Sequence, residues 1–293
     1  MTEDEQRALK LFLITVLLLL TATSLVFAQA DPAEITKTFR PDIRRPIKVD
    51  VRMDGGELHF SAVPRGSEGR ARYRYNRERF GGELSWDPEE NALVAITDMS
   101  GLRIESGSDS TDRSESSLEI LIPRGALVEL DLDVKWGYID LNGEDLRFDG
   151  LSVDITGGEF KADFPTRAET KLHRIDFELS MGEMDVKGLG NLSWETLDVN
   201  GAMGSIDIDL TGGLNMPRRA TIDLEIGEMV ITVPADRVVE ARVSKWGFLA
   251  NVDYPAGWEH DGRYLYSRGR GEQKTDLFLD IRGGIGDITI RQR

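Results

Sequence analysis

Hydrophobic and polar residues alternate with a period of two along most of the chain after residue 46. The alternation occurs in short runs that include VDVRM, LVELDLDV, SVDIT, RIDFELS, SIDIDL, TIDLEI and DITI. Because successive side chains of a β-strand point to opposite faces, each run predicts a strand with one buried and one exposed face. Glycine-rich breaks separate the runs, which is typical of an all-β fold with many short strands.

Nine glycines share a common pattern of neighbours. They are Gly56, Gly82, Gly137, Gly158, Gly182, Gly204, Gly227, Gly247 and Gly286, and the residue two positions after each is apolar. Apolar residues make up only 40% of the chain, so a match at every copy is far above chance. Many copies also carry apolar residues one, three and five positions before the glycine. The pattern predicts a strand, a glycine corner and a second strand, with positions −5, −3, −1, +2 and +4 facing the core.

The spacing of these glycines predicts how the units assemble. From Gly137 to Gly247 the intervals are 21, 24, 22, 23 and 20 residues. Such periods are typical of stacked repeats, in which no unit buries its apolar face alone. The expected fold is all-β: a single-stranded β-helix, or β-solenoid, of stacked rungs of about 22 residues, preceded by an N-terminal hydrophobic helix. Asp261-Gly262 predicts a hairpin, which accounts for the interval of 39 residues from Gly247 to Gly286.

Three segments, KVDVRMDGGELHFSA, RARYRYN and GGELSW, resemble the N-terminal region of the bacterial toastrack family. The later glycine rungs resemble the adhesin-like β-helical part of that family and the C-terminal domain of Lia-type envelope-stress proteins. The resemblance covers residues 46–292. It implies a mostly β, exported or membrane-associated protein of an uncharacterised envelope family, without an established enzymatic role. Many relatives follow cytoplasmic or membrane-embedded modules, whereas this chain has one N-terminal hydrophobic segment.

The N-terminal segment predicts export. Residues 11–28, LFLITVLLLLTATSLVFA, form an apolar run without a charged residue. The run ends in Ala28-Gln29-Ala30, which fits a signal peptidase site. The same run is long enough to cross a bilayer, so an uncleaved anchor is the alternative. We expect a signal peptide or N-terminal membrane anchor at 1–30, a linker at 31–45, an N-terminal β region at 46–117 and a β-helical region with a C-terminal hairpin at 118–293. The polar segment 106–117 predicts a mobile loop at the boundary.

Composition and charge narrow the function classes. The chain has no cysteine, which excludes disulfides, thiolate zinc sites and cysteine nucleophiles. Its formal net charge of −16 repels nucleic acid and anionic membranes. The arginine-rich segment 65–80 is the exception, but its alternation with alanine and tyrosine predicts a two-faced strand rather than a nucleic-acid site. We therefore expect no nucleic-acid partner.

No combination of residues predicts a catalytic, cofactor-binding or metal site. The three histidines, His59, His173 and His260, lack metal-ligand spacing, and the phosphate-loop, dinucleotide and nucleophile-elbow motifs are missing from the sequence. The carboxylates lie at outward positions of the predicted strands, as a solvated face requires. Examples are Asp131, Asp133, Asp140, Asp207 and Asp209. Because some β-helices cleave polysaccharides with paired carboxylates, a polysaccharide-active enzyme remains an alternative.

Two features of the corners suggest contact surfaces. Glutamate directly follows the glycine in five units, at Glu57, Glu83, Glu159, Glu183 and Glu228. If the units stack in register, these glutamates form a line that attracts a cation or a basic partner, or that only protects the edge from aggregation. Lys-Trp-Gly occurs twice, and position −1 predicts that Trp136 and Trp246 fill the core. Other units carry Gly157, Met181, Met203, Ile226 and Ile285 at this inward position. Tyr138 and Phe248 then face outward as contact candidates.

The sequence predicts a non-enzymatic exported protein of the bacterial cell envelope, periplasmic, extracellular or membrane-anchored. Its β-solenoid surface serves interaction or scaffolding, with an unknown envelope protein or a glycan as partner. A membrane-anchored sensor of envelope stress and a polysaccharide-active β-helix are the alternatives. The oligomeric state, the partner and the pathway have no signature in the sequence.

Overall fold

The computed structural model describes residues 32–99, 116–168, 170–213, 217–245, 249–268 and 274–293. The predicted N-terminal helix, most of the predicted loop at 106–117, and Trp246, Gly247 and Phe248 lie outside these ranges. The strands are β1 (Pro32–Phe39), β2 (Ile47–Met53), β3 (Gly56–Val63), β4 (Gly69–Asn76), β5 (Gly81–Asp87), β6 (Ala92–Asp98), β7 (Ser116–Pro123), β8 (Leu127–Asn142), β9 (Arg147–Asp163), β10 (Lys171–Lys187), β11 (Ser193–Asp209), β12 (Arg218–Val233), β13 (Val239–Lys245), β14 (Ala250–Asp253), β15 (Glu259–Asp261), β16 (Tyr264–Tyr266) and β17 (Leu277–Gln292).

The architecture is the predicted β-helix. The long strands β8, β9, β10, β11, β12 and β17 pair in parallel, in that order along the stack. Each is bent at its glycine into a first arm before the corner and a second arm after it. A turn then returns the chain to the start of the next rung, as between Asn142 and Arg147. One element of the described chain is helical, the 3-10 turn Leu189–Asn191, and none is long and apolar enough to cross a membrane.

The core lies between the two arms and follows the predicted alternation at four of the five inward positions. In β8, Leu132 and Val134 of the first arm and Ile139 and Leu141 of the second arm are fully buried. The prediction for position −1 is wrong, because Trp136 is 52% exposed. Four successive residues from position −2 to position +1 take the chain around the outside of the corner. Alternation therefore stops there instead of slipping by one residue, and the side chain at −1 projects outward.

The corner glycines form a ladder that only glycine can build. Gly56, Gly137, Gly158, Gly182, Gly204, Gly227 and Gly286 stand in register from rung to rung. A Cβ on Gly204 would lie 1.8 Å from the carbonyl oxygen of Gly182, and one on Gly227 would lie 1.7 Å from that of Gly204. Gly82 is wrongly included in the predicted set. It belongs to the antiparallel pair β5–β6, where it is opposite Thr97.

The N-terminal strands extend the same stack. β2 pairs in parallel with the first arm of β8 and β3 with its second arm, so that Gly56 is opposite Gly137. The arginine-rich strand β4 has the predicted two faces: Ala71 and Tyr73 are buried, whereas Arg72 forms a 2.9 Å salt bridge with Glu119. The division into an N-terminal β region at 46–117 and a β-helical region at 118–293 stays a prediction.

The C-terminal strand lies inside the stack rather than at its end. β17 pairs with β12 on one side and with β13 and β14 on the other, so the order of the rungs departs from the order of the chain. The predicted hairpin is present between β13 and β17 in sequence: β15 and β16 pair around Gly262, whose φ is +65°. β16 pairs with one edge of β13, and β17 pairs with the other edge of β13 and with β14.

Candidate interaction surface

An apolar ridge runs along the outside of the glycine corner. All its members are about half exposed, and all but Leu249 occupy position −1 of their rungs. They are Trp136 (52%), Met181 (50%), Met203 (47%), Ile226 (41%), Ile285 (42%) and Leu249 (45%). They include six of the nine large apolar side chains that are exposed in the described part of the chain, which shows that exposure is concentrated at this line. Leu249 lies beside position −1 of β17, so the prediction that it faces the core, at position +2 after Gly247, is wrong.

The register of the rungs makes the ridge continuous. Met181 is opposite Met203, Met203 is opposite Ile226, and Ile226 is opposite Ile285. Leu249 adjoins Ile285, because the next residues, Ala250 and Gly286, are paired. Gly157 takes position −1 between Trp136 and Met181, and the indole of Trp136 lies so close that a Cβ on Gly157 would be 2.2 Å from it. With strands about 4.8 Å apart, the seven rungs give a ridge about 29 Å long.

A groove of small residues follows the ridge on the side of the first arm. One section has a volume of about 450 Å³ and is lined by the small residues Ser244, Gly283 and Gly284, by the ridge residues Ile226 and Ile285, and by charged residues that include Lys245 and Arg282. The adjoining section has a volume of about 210 Å³ and is lined by Ser180, Gly201 and Ala202 among others. Asp223 and Glu225 line both sections, so the two are continuous. Small side chains at positions −2 and −3 beside large ones at −1 create the depression.

Carboxylates border the ridge on both sides. The first arm carries Asp133, Asp154, Glu178 and Glu225, and the second arm carries Glu183 and Glu228, all six of them exposed. Within the described ranges, none of these six forms a salt bridge, whereas the nearby cation Lys135 is bonded to Asp54 at 2.6 Å. Stacking adds repulsion, because Asp133 is directly opposite Asp154 in the next rung. The surface therefore has an apolar centre and acidic margins.

Carboxylates that stand opposite each other in successive rungs, here called the acidic columns, raise each other's pKa values. Although Asp154 is exposed, partial loss of hydration beside its neighbours raises its pKa, and the carboxylates of Asp133 and Asp131 raise it further. Burial also raises the pKa of Asp223, against the effect of Arg282. In both cases the negative form is destabilised by lost hydration and by neighbouring charge. A cation that approaches this surface relieves that repulsion.

The predicted glutamate line exists, with one correction. Glu57, Glu159, Glu183 and Glu228 occupy position +1 of one column, interrupted by Tyr138 and Ser205. Glu83 is outside it, because its strand β5 is antiparallel to β6. Within the described ranges, no three potential metal ligands converge. Tyr138 is half-buried, with Lys161 Nζ 5.5 Å from its ring centroid, so it contributes less contact surface than the ridge beside it.

The three histidines lie apart on different strands. His59 is between Glu57 and Asp140, at 3.5 and 3.7 Å, and His173 Nδ1 is 2.9 Å from Glu195. His260 Nε2 contacts the carbonyl oxygen of Gly262 at 2.9 Å. The residues that sequence reasoning missed are those of the ridge. The sequence pattern gives Met181, Met203, Ile226 and Ile285 the same position −1, but its prediction that they face the core is wrong.

Comparison with known proteins gives similar structures at low sequence identity. A candidate cell adhesion protein from Clostridium sporogenes is 18% identical; the match covers 90% of this chain and 100% of that one, with a TM-score of 0.47. A candidate adhesin from Bacteroides fragilis is 10% identical, with coverages of 88% and 97% and a TM-score of 0.34. A candidate lipid binding protein from Parabacteroides distasonis is also 10% identical, with coverages of 90% and 98% and a TM-score of 0.31. No family model and no curated protein matches the chain.

Proposed function

We propose that this chain is a non-enzymatic, exported interaction protein of the cell envelope, and that it binds its partner along the apolar ridge. The observation that carries the proposal is the alignment of six half-exposed apolar side chains in one register over seven rungs. Extended apolar patches with polar margins are characteristic of interaction sites on soluble proteins. The N-terminal apolar segment supports export.

The shape of the surface favours binding over catalysis. An enzyme site gathers a few titratable groups in a cleft, at separations of a few ångströms from one reacting bond. The carboxylates that border the ridge are instead distributed along its length, from Asp133 on β8 to Glu228 on β12. The ridge also favours a protein partner over a glycan, because Trp136 is the one aromatic member among its described residues and sugar rings stack on aromatic faces.

Binding of the purified protein to envelopes of the producing cell tests the proposal. Protein is prepared from cells that express the full chain, and saturable binding is measured by sedimentation. The double variant M203S/I226S removes two central ridge side chains and leaves the core unchanged. We expect it to lose binding at least about tenfold, since burying two such side chains contributes a few kcal/mol.

The matched control is I43S/I96S. Ile43 and Ile96 are also exposed, at 37% and 42%, but Ile96 is on β6, five strands from Met203 in the stack. This control should bind like the wild type. Equal binding by wild type and M203S/I226S, or no binding by the wild type, would refute the proposed function.

A further inference from the structure

We infer that the partner at the ridge is a basic amphipathic α-helix, which lies along the ridge with its apolar face on it and its lysine or arginine side chains over the acidic margins. The inference rests on the proposed function of the ridge and names the class of partner. Four observations carry it: the charge of the margins, the spacing of the rungs, the shape of the groove and the length of the ridge.

The charge of the margins selects a cationic partner. Asp154, Glu178 and Glu225 on one side and Glu183 and Glu228 on the other make no salt bridge with any residue in the described ranges, so their charges are available at the surface. A second copy of this chain would bring the same carboxylates against them, at a repulsive cost that grows with each rung. An anionic membrane is repelled in the same way. Lysine or arginine at the flanks of an apolar seam relieves the repulsion instead.

The spacing of the ridge is closer to that of an α-helix than to that of an extended peptide. Neighbouring ridge side chains are one strand apart, which is about 4.8 Å. On a helix, apolar residues at i, i+3 and i+7 repeat about every 5.4 Å along the axis. The apolar side chains of a helix therefore shift by about 0.6 Å relative to the ridge at each rung. An extended peptide places alternate side chains about 6.8 Å apart, so its side chains shift by about 2 Å at each rung. A helix that covers the full ridge of about 29 Å has about 19 residues.

The groove offers a place for the helix on one side of the ridge. Its floor is made of Ser180, Gly201, Ala202, Gly283 and Gly284, which lets bulky apolar side chains approach the strands. Asp223 and Glu225 stand where the two sections of the groove join. Glu225, which forms no salt bridge in the described ranges, can therefore accept charge-assisted hydrogen bonds from a partner that occupies both sections, whereas Asp223 is already paired with Arg282 at 3.8 Å. Two cations also line the wider section, but Lys245 donates to the carbonyl oxygen of Ala250, and Arg282 is paired with Asp280 and Asp223. The carboxylates without a salt bridge along the seam therefore complement a basic amphipathic helix.

A designed peptide tests the inference directly. The probe is a labelled 19-residue peptide of leucine and lysine with leucines at i, i+3 and i+7, and binding is followed by fluorescence anisotropy with protein from cells that express the full chain. We expect saturable binding that weakens as sodium chloride is raised, because exposed ion pairs are screened. A peptide of the same composition in scrambled order and a peptide with glutamate in place of lysine should each bind at least about tenfold more weakly.

Protein variants locate the site. We expect E178Q/E225Q to lose affinity and salt dependence while it remains folded, and M203S/I226S to lose at least about tenfold. The matched controls are I43S/I96S and E78Q, the latter an exposed glutamate of the turn after β4. Equal affinity for the scrambled peptide, or full affinity in both ridge and margin variants, would overturn the inference.

The outcomes separate the inference from the proposed function. Envelope binding that requires Met203 and Ile226, together with no binding of the basic helix, would refute the partner class and leave the function standing. Ridge-dependent flotation with phosphatidylcholine vesicles would assign the ridge to a membrane and overturn the inference. Ridge-dependent dimers at low salt would overturn it in favour of a second copy.

Discussion

At the scale of the residue, the corner glycines determine where the fold tolerates no side chain. Gly158, Gly182, Gly204 and Gly227 have φ values between +134° and +142°, a region that favours glycine. Each also faces the carbonyl oxygen of the glycine in the rung before it. Any other residue at these positions would therefore have a strained backbone and a side chain that collides with the preceding rung.

The substitution Gly204→Ala tests this double constraint. The added Cβ would lie 1.8 Å from the oxygen of Gly182, which requires the rungs to separate. We expect a loss of about 3 kcal/mol or more in the free energy of unfolding, measured with urea. Gly150→Ala on β9 is the control, since its Cβ would meet only Glu129 at 3.4 Å, and it should be nearly neutral. A small effect at Gly204 would show that the rungs are more loosely stacked.

Arg218 is a second residue with an unusual environment. Its side chain is 3% exposed, its guanidinium lies 4.9 Å over the ring of Trp194, and Nη1 donates to the oxygen of Gly190. Nε and Nη2 have no partner in the described part of the chain. Burial lowers the pKa of Arg218 to about 10, and the nearby Arg167 and Arg237 lower it in the same direction. The group is therefore a buried cation at neutral pH, surrounded by other cations.

Replacing this cation with an apolar side chain should stabilise the protein. An unpaired buried charge costs several kcal/mol of hydration, which one cation–π contact and one long hydrogen bond offset only in part. We expect Arg218→Met to raise the free energy of unfolding by about 1 kcal/mol or more. Arg219→Met serves for comparison: Arg219 is exposed and lies 4.4 Å over the ring of Phe278, a contact worth about 0.5–1 kcal/mol at such a site, so this substitution should not stabilise the protein. Strong destabilisation by Arg218→Met would mean that the guanidinium is better paired than its described contacts indicate.

At the scale of the element, parallel register arranges like residues in columns. Leucine and isoleucine columns form the core, glycine columns form the corner, and aspartate columns form the outer face of the first arm, where Asp133 is opposite Asp154. Columns of apolar residues are stabilising, whereas columns of carboxylates repel. The acidic surface therefore lowers the stability of the elements that carry it, which is reasonable where the surface has another role.

The substitution Asp154→Asn measures the repulsion within one column. The pKa of Asp154 is raised in the folded state, so the folded protein binds the proton more tightly than the unfolded chain, and the carboxylate lowers stability as pH rises through that pKa. We expect the variant to be more stable at pH 7 by about 0.2–1 kcal/mol. The difference should vanish below the unfolded pKa of 3.8. Asp253→Asn, outside the acidic columns, should show no such gain.

Hydrogen exchange tests the position of β17 in the stack. Because β17 is paired on both sides, its amides should exchange about as slowly as those of β11, although the strand is at the end of the sequence. Amides of β15, which pairs only with β16, should exchange much faster. Fast exchange at alternate residues of β17 would place it at an edge and would contradict the observed order.

At the scale of the whole molecule, charge and the apolar ridge oppose each other. The ridge favours association, and the formal net charge of −16 disfavours contact between copies. Six exposed apolar side chains in one line are otherwise an aggregation hazard. The acidic margins therefore keep the surface in solution until a partner of opposite charge covers it.

High salt should reveal the ridge by removing this protection. At about 1 M sodium chloride the screening length falls to about 3 Å, and we expect the wild type to self-associate in sedimentation experiments. M203S/I226S should remain monomeric, whereas I43S/I96S should associate like the wild type. Association of all three proteins to the same extent would show that the ridge does not drive the contact.

The sequence by itself determined the β-helix, its rungs, its glycine corners and the two faces of β4. These follow from side-chain periodicity and from the spacing of glycines, both of which are local properties of the chain. It also placed Met181, Met203, Ile226 and Ile285 in one column, because equal position in a repeat means equal position in a stack.

Only the tertiary structure decided which way that column points and where β17 lies. The direction of a side chain at a bend depends on how many residues the bend uses, and four outward residues at the corner of β8 place Trp136 outside. β17 pairs with the edge of β13 that is opposite to the edge paired with β16, and it continues along β14. Both are outcomes of packing between segments distant in sequence. A repeating pattern defines the composition of a column, and the closed shape of the rung decides whether that column faces the core or the solvent.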